Sequence, residues 1–118
     1  MDENSLSLVI AYIQPFQLDS VVEALRHLPH CPGMSVSEVR GVGWTGAHPP
    51  RKGEKAEVDP FEDKVRIEIL CRGPEAAAIM EAVRSQAHTG HRGDGKIFAM
   101  PVTLAQRIRT GEWGDAAL

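Results

Sequence analysis

Cysteine occurs only at Cys31 and Cys71, too few for the disulfide framework of a small secreted fold and suited to a reducing compartment. Tyrosine is scarcer, with Tyr12 alone. No apolar run approaches the ~20 residues that span a bilayer. The opening MDENS lacks the basic and apolar regions of a secretory signal. Neither sign of charge dominates: 13 Lys and Arg against 16 Asp and Glu leave a net charge of -3. That balance gives no general attraction to nucleic acid and none to an acidic membrane surface. No Ser-His-Asp or Cys-His grouping is signalled, and the acidic residues scatter. Nor is a base identified that would position an attacking water for hydrolysis. These absences lead us to expect a cytoplasmic, non-enzymatic single domain over residues 1–118, long enough for one core and not two.

What the chain does contain is periodic. Residues 5–13, SLSLVIAYI, are rich in β-branched and aromatic side chains and read as a strand closed by Pro15. In 17–28, Leu18, Val21, Val22 and Leu25 fall on one helical face. Pro29, Pro32 and Gly33 stop that helix. A second, less regular strand follows at 34–41. Residues 64–70 alternate Val65, Ile67 and Ile69 with Lys64, Arg66 and Glu68, the pattern of a half-buried strand. Pro74 opens a helix over 74–87 with Ala76, Ile79, Met80, Val83 and Ala87 as its apolar stripe and Gly90 as its C-terminal cap. A last strand covers 96–104, where Pro101 suits a strand end or edge. The order β-α-β, long loop, β-α-β gives an α+β, ferredoxin-like split-βαβ plait. In it, two helices lie on one face of a four-stranded antiparallel sheet. The other face is apolar enough to want cover, which favours self-association.

Residues 90–98, GHRGDGKIF, hold the glycine and lysine spacing of a phosphate-binding P-loop. Ile97 stands where that motif needs a hydroxyl, and the segment joins a helix to a strand rather than a strand to a helix. The P-loop reading therefore fails. A backbone anion nest at Gly93 and Gly95, with charge from Arg92 and Lys96, competes with a tight turn that merely needs glycine. In the polar tail 105–118, Arg107 and Arg109 alternate. An extended backbone would point both the same way, towards a bidentate phosphate contact or simply into solvent.

Two further stretches carry alternatives. Residues 41–63 are too rich in Gly, Pro and charge to fold alone, and loops of that length are functional or disordered. Trp44 there is either a docking anchor or packed on its own loop. His27, His30 and Cys31 lie close enough in sequence for a metal site, although the spacing matches no specific metal motif and solvated side chains are the commoner outcome.

TGHRGDGKIF followed by RIRTGEWGDAAL, with AYIQPFQLDSVVEAL and GMSVSEVRGVG upstream, resembles the PII signal-transduction proteins over nearly the whole chain. The resemblance implies a homotrimer with adenine-nucleotide sites (ATP, ADP or AMP) in clefts between subunits. It implies that Thr89, Gly93, Asp94, Gly95 and Lys96 wrap the phosphates and that Arg107 and Arg109 reach them from a neighbouring subunit. Ser35 would stand near the adenine, and Lys64 matches a lysine that helps hold 2-oxoglutarate. Gly41 and Gly43 begin the flexible loop, 41–63, that docks on a target protein. That target is expected to be a membrane transporter, with no insertion into the membrane by this chain itself.

The departures narrow the branch. Trp44, Thr45 and Gly46 replace an arginine, a magnesium-coordinating glutamine and a lysine, which puts the magnesium and 2-oxoglutarate assembly in doubt. His48 keeps a family position without an assigned role. Glu57 stands where many relatives carry a uridylylated tyrosine, so regulation by that modification is not expected. The expectation is thus a PII-like nucleotide sensor. A metal- or bicarbonate-responsive sensor, associated with heavy-metal efflux or carbon uptake, is the alternative.

Overall fold

The computed structural model describes residues 5–42 and 60–118. Its elements are β1 (Leu6–Ile13), α1 (Leu18–Arg26), β2 (Ser35–Gly41), β3 (Glu62–Arg72), α2 (Ala76–Ala87) and β4 (Gly95–Val102). Single 3-10 turns at Pro15–Gln17 and Gly73–Glu75 lead into the two helices. Each carries proline early, where its missing N–H and fixed φ cost nothing.

The period-two alternation decides where the core lies. Val9, Ala11 and Ile13 of β1 join Val65, Ile67, Ile69 and Cys71 of β3 beneath Val21 and Leu25 of α1 and Ile79 and Val83 of α2. Val21, Leu25, Cys71 and Val83 have no exposed surface. Burial pushes the Cys71 thiol up to about 11, aided by the nearby Cys31 and Glu75, so this thiol packs as a small hydrophobe. The four strands lie in the order β2-β3-β1-β4 and every pairing is antiparallel. This is the expected plait. Pro101 sits in the edge strand β4 opposite Ser7, where a missing N–H is tolerated.

The face away from the helices is apolar along its centre. Leu8 lies opposite Leu70 and Met100, and Ile10 opposite Phe98. The Tyr12 and Phe98 rings stand 6.3 Å apart. Phe98 and Met100 remain 36% and 40% exposed. Among the described residues, no helix is long and apolar enough to cross a membrane.

Some boundaries differ from the sequence expectation. The β2–β3 ladder continues to Gly41 opposite Glu62, so pairing extends into both ends of the 41–63 segment. Arg40 caps Phe61 at 5.3 Å across these ends. Helix α2 ends at Ala87, capped by an extended His88, so Gly90 is not its cap. The tail is not extended at Arg107 and Arg109. Gln106 bridges to Trp113, the Gly111 N–H donates to the Arg107 carbonyl at 2.8 Å, and Arg109 lies in the turn between. Gly111 and Gly114 both hold positive φ, which lets the chain double back.

Candidate functional site

One end of the sheet gathers the polar chemistry. There the strand register brings Ile13 opposite both Val65 and Gly95, and Gly41 opposite Glu62. The segment joining α2 to β4 closes over that end. Three of the residues expected to surround phosphate, Thr89, Gly93 and Asp94, lie in this single loop, and Gly95 and Lys96 open β4.

The loop is held from within by Asp94. Its carboxylate accepts from the Thr89 hydroxyl, from the Thr89 N–H at 2.8 Å and from the Gly90 N–H at 3.0 Å. The Thr89 oxygen accepts in turn from the His91 N–H at 3.1 Å. These bonds favour the charged form, led by the Thr89 hydroxyl, and hold the Asp94 carboxyl below its ordinary range. His88 Nδ1 stands 3.7 Å from the same carboxylate. Asp94 therefore braces the loop, and its side chain is already engaged.

The two glycines differ in what they permit. Gly95 has φ +108, and a Cβ there would lie 1.8 Å from the Tyr12 carbonyl oxygen. Its lack of a side chain lets β4 start against β1. Gly93 has φ +90 and faces polar side chains instead. Its carbonyl accepts from Gln14 Nε2 at 2.7 Å and from Lys64 Nζ at 2.5 Å. Lys64 also lies 3.7 Å from the Glu62 carboxylate, with its side chain only 13% exposed. Lys96 and Arg92 have no ion-pair partner among the described residues, and both are exposed. An anion approaching the loop would meet these cations, which supply charge without first breaking an internal pair.

A cavity of about 560 Å³ borders the loop at Asp94, Gly95 and Lys96, with Met80 and Ala87 of α2 and Ile97 among its apolar walls. That size suits a small ligand, for which pockets of about 300–1,000 Å³ are usual. Sequence reading placed Ile97 only within the last strand, 96–104. It gave no sign of the cavity, which depends on how far α2 stands from β4.

Other expected site residues lie apart within one chain. Ser35 is on the far edge strand, opposite Glu68 and level with Ile10 and Phe98. Gly41 lies at the loop end of that strand, 3.8 Å from the Lys64 side chain by its would-be Cβ. The tail leaves β4 from Val102, opposite Leu6, at the other end of the sheet. Arg107 there donates to the carbonyl of Leu118. No hydrogen bond or ion pair among the described residues links 105–118 to 88–96. Gly43, Trp44, Thr45, His48 and Glu57 lie outside the described residues. His27 is engaged by Glu23, with Nδ1 2.7 Å from its carbonyl oxygen. His30 and Cys31 border only a small crevice beside Glu75. Among the described residues, no group of three or more His, Cys, Asp or Glu side chains could hold a metal ion.

Gln14 is the site residue that sequence reading missed. A single glutamine between a strand and a proline carries no periodic signal, and its partner is 79 positions away.

Comparison with known proteins covers this whole arrangement. The sequence profile of the family described as Nitrogen regulatory protein P-II matches residues 6–112. The chain is similar to the nitrogen regulatory protein P-II of Cereibacter sphaeroides, 44% identical over 108 residues, which covers 92% of this chain and 96% of that protein. It is also similar to the protein of that description from Azospirillum brasilense, 43% identical over 109 residues with 92% and 96% covered. Among solved structures, Arabidopsis thaliana PII bound to citrate matches with a TM-score of 0.77 and 32% identity. That match covers 98% of this chain and 91% of that one.

Proposed function

The chain belongs to the nitrogen regulatory protein P-II family, whose members are signal-transduction regulators and not enzymes, and on that premise we propose that it reports adenine-nucleotide occupancy to a partner protein. ATP, ADP or AMP is the effector, and its phosphates lie against the 89–96 loop. The observation that carries this reading is the Asp94-braced loop, which exposes Arg92 and leads into an uncommitted Lys96 at the wall of a cavity of ligand size. Citrate bound to the Arabidopsis thaliana relative is a polyanion on the same fold. That observation supports the ligand class, not the nucleotide.

The functional unit is a homotrimer in which the apolar sheet face is covered and Arg107 and Arg109 reach a neighbour's loop. Segment 41–63 docks on the regulated protein, and a membrane transporter is the partner class carried over from the resemblance. Magnesium is left out of this reading, since the Asp94 side chain is committed to Thr89 and Gly90.

Calorimetry of the full chain with ATP, ADP and AMP tests the proposal, and no binding by any of them would end it. Lys96→Ala should weaken ATP by about tenfold, the worth of one charged hydrogen bond. It should leave adenosine unaffected. An unchanged ATP affinity would remove Lys96 from the site.

A further inference from the structure

Two donors meet on the Gly93 carbonyl, and they are not equivalent. Lys64 Nζ is also 3.7 Å from Glu62. As an ammonium ion it would be drawn towards any polyanion entering the site. Gln14 Nε2, at 2.7 Å, is a neutral donor with no such pull. It is the contact that can persist when an anion arrives. Gln14 is also well placed to hold firm. It directly follows β1, and Pro15 after it keeps its backbone extended at φ -67 and ψ 138.

Fixing this carbonyl fixes more than one atom. No peptide among the described residues is cis. In a trans peptide unit the C=O and the following N–H point to opposite sides. Drawing the Gly93 oxygen towards Gln14 therefore turns the Asp94 N–H the other way, outward from the sheet end. None of the hydrogen bonds found among the described residues uses that N–H, although the Asp94 carboxylate accepts three. Left-handed Gly93 beside it allows the peptide to take this orientation without strain.

We propose that Gln14 is a positioning residue: by holding the Gly93 carbonyl it aims the Asp94 N–H at the phosphate of a bound nucleotide. The proposal rests on the nucleotide reading above. Gln14 itself touches no ligand.

Calorimetry on the full chain with ATP and adenosine, comparing the unaltered protein with Gln14→Met, separates the possibilities. Methionine keeps the length and removes the donor. ATP should bind about five- to tenfold more weakly, the loss expected for one misaligned hydrogen bond. Adenosine, which has no phosphate, should bind as before. An ATP affinity within about twofold of the unaltered chain, or an equal loss for adenosine, would overturn the proposal. The nucleotide-free ¹⁵N spectrum supplies the independent check. The Asp94 amide resonance should move in Gln14→Met while resonances of α1 stay in place. An unmoved Asp94 resonance overturns the clamp by itself. If the unaltered chain binds neither ATP nor adenosine, the nucleotide reading falls and takes the ligand role of Gln14 with it.

Discussion

A side chain at Gly95 would need space that the Tyr12 carbonyl already fills, 1.8 Å from the nearest Cβ position, and would need a φ of +108. Gly95→Ala should therefore lower stability by roughly 2–4 kcal/mol, because backbone, not a flexible tip, must move. Gly33→Ala, with nothing within 4 Å, should stay within about 0.5 kcal/mol in the same urea titration. Equal midpoints for the two variants would contradict the close β1–β4 approach. Asp94 makes a different kind of prediction. Its native pKa is lowered, chiefly by the Thr89 hydroxyl and N–H, so the brace is fully present above the ordinary carboxylate range. As pH falls through the lowered native value, the unfolded chain already holds its proton and the contribution disappears. The amide resonances of Thr89 and Gly90 should shift together over that acidic range. Asp94→Asn should abolish the shift. The glycine-rich run was legible in sequence as a loop between a helix and a strand, but the division of labour within it was not. Gly95 serves strand contact, Gly93 serves backbone orientation, and Asp94 serves the loop itself.

Helix α1 shows how far periodicity alone reaches. Its stripe of Leu18, Val21, Val22 and Leu25 is visible in sequence because 3.6-residue spacing puts these positions on one side, and Val21 and Leu25 are fully covered in the structure. Leu25→Ala should cost about 2–5 kcal/mol, with an unchanged denaturant slope if the fold is otherwise kept. A loss under about 1 kcal/mol would mean that α1 does not seal this side of the core. Strands β1 and β3 were equally legible, β3 because it alternates over a buried face and β1 because it is a run of β-branched and apolar residues buried along most of its length. Strand β2 was harder, because as an edge strand it is exposed along most of its length and has little pattern to show. The turn in the tail was not legible for a physical reason. Alternating arginines suggest extended backbone only if nothing turns the chain, and the Gln106–Trp113 bridge with Gly111 turns it. Local turns of this kind depend on a few φ values and carry no period. The clamp on Gly93 lay beyond sequence reasoning altogether, because register and loop closure together bring Gln14 to it.

At the scale of the whole molecule, one chain holds the two halves of the proposed phosphate site at opposite ends of its sheet. The 89–96 loop sits where β4 begins, whereas the tail bearing Arg107 and Arg109 departs from the end of β4 opposite Leu6. An eight-residue strand separates them, about 22–24 Å between its end residues at the usual rise per residue. Arg107 is further tied to the Leu118 carbonyl. A second copy is the economical way to unite the halves, and the exposed Phe98 and Met100 on the uncovered face give copies a reason to associate. On the proposed homotrimer, the unaltered chain should sediment at three times its own mass, and Met100→Asp should dissociate it by placing a charge on that face. The sharper test is complementation. Lys96→Ala chains and chains carrying both Arg107→Ala and Arg109→Ala should each bind ATP poorly as separate trimers. Unfolded together in equal amounts and refolded, they should form mixed trimers in which about one cleft in four pairs an intact loop with an intact tail, because chains combine at random in a closed ring. Calorimetry of the mixture should recover about that fraction of high-affinity sites. Recovery of none would mean that the arginines serve their own chain or no nucleotide at all, and the proposed interface would have to be abandoned.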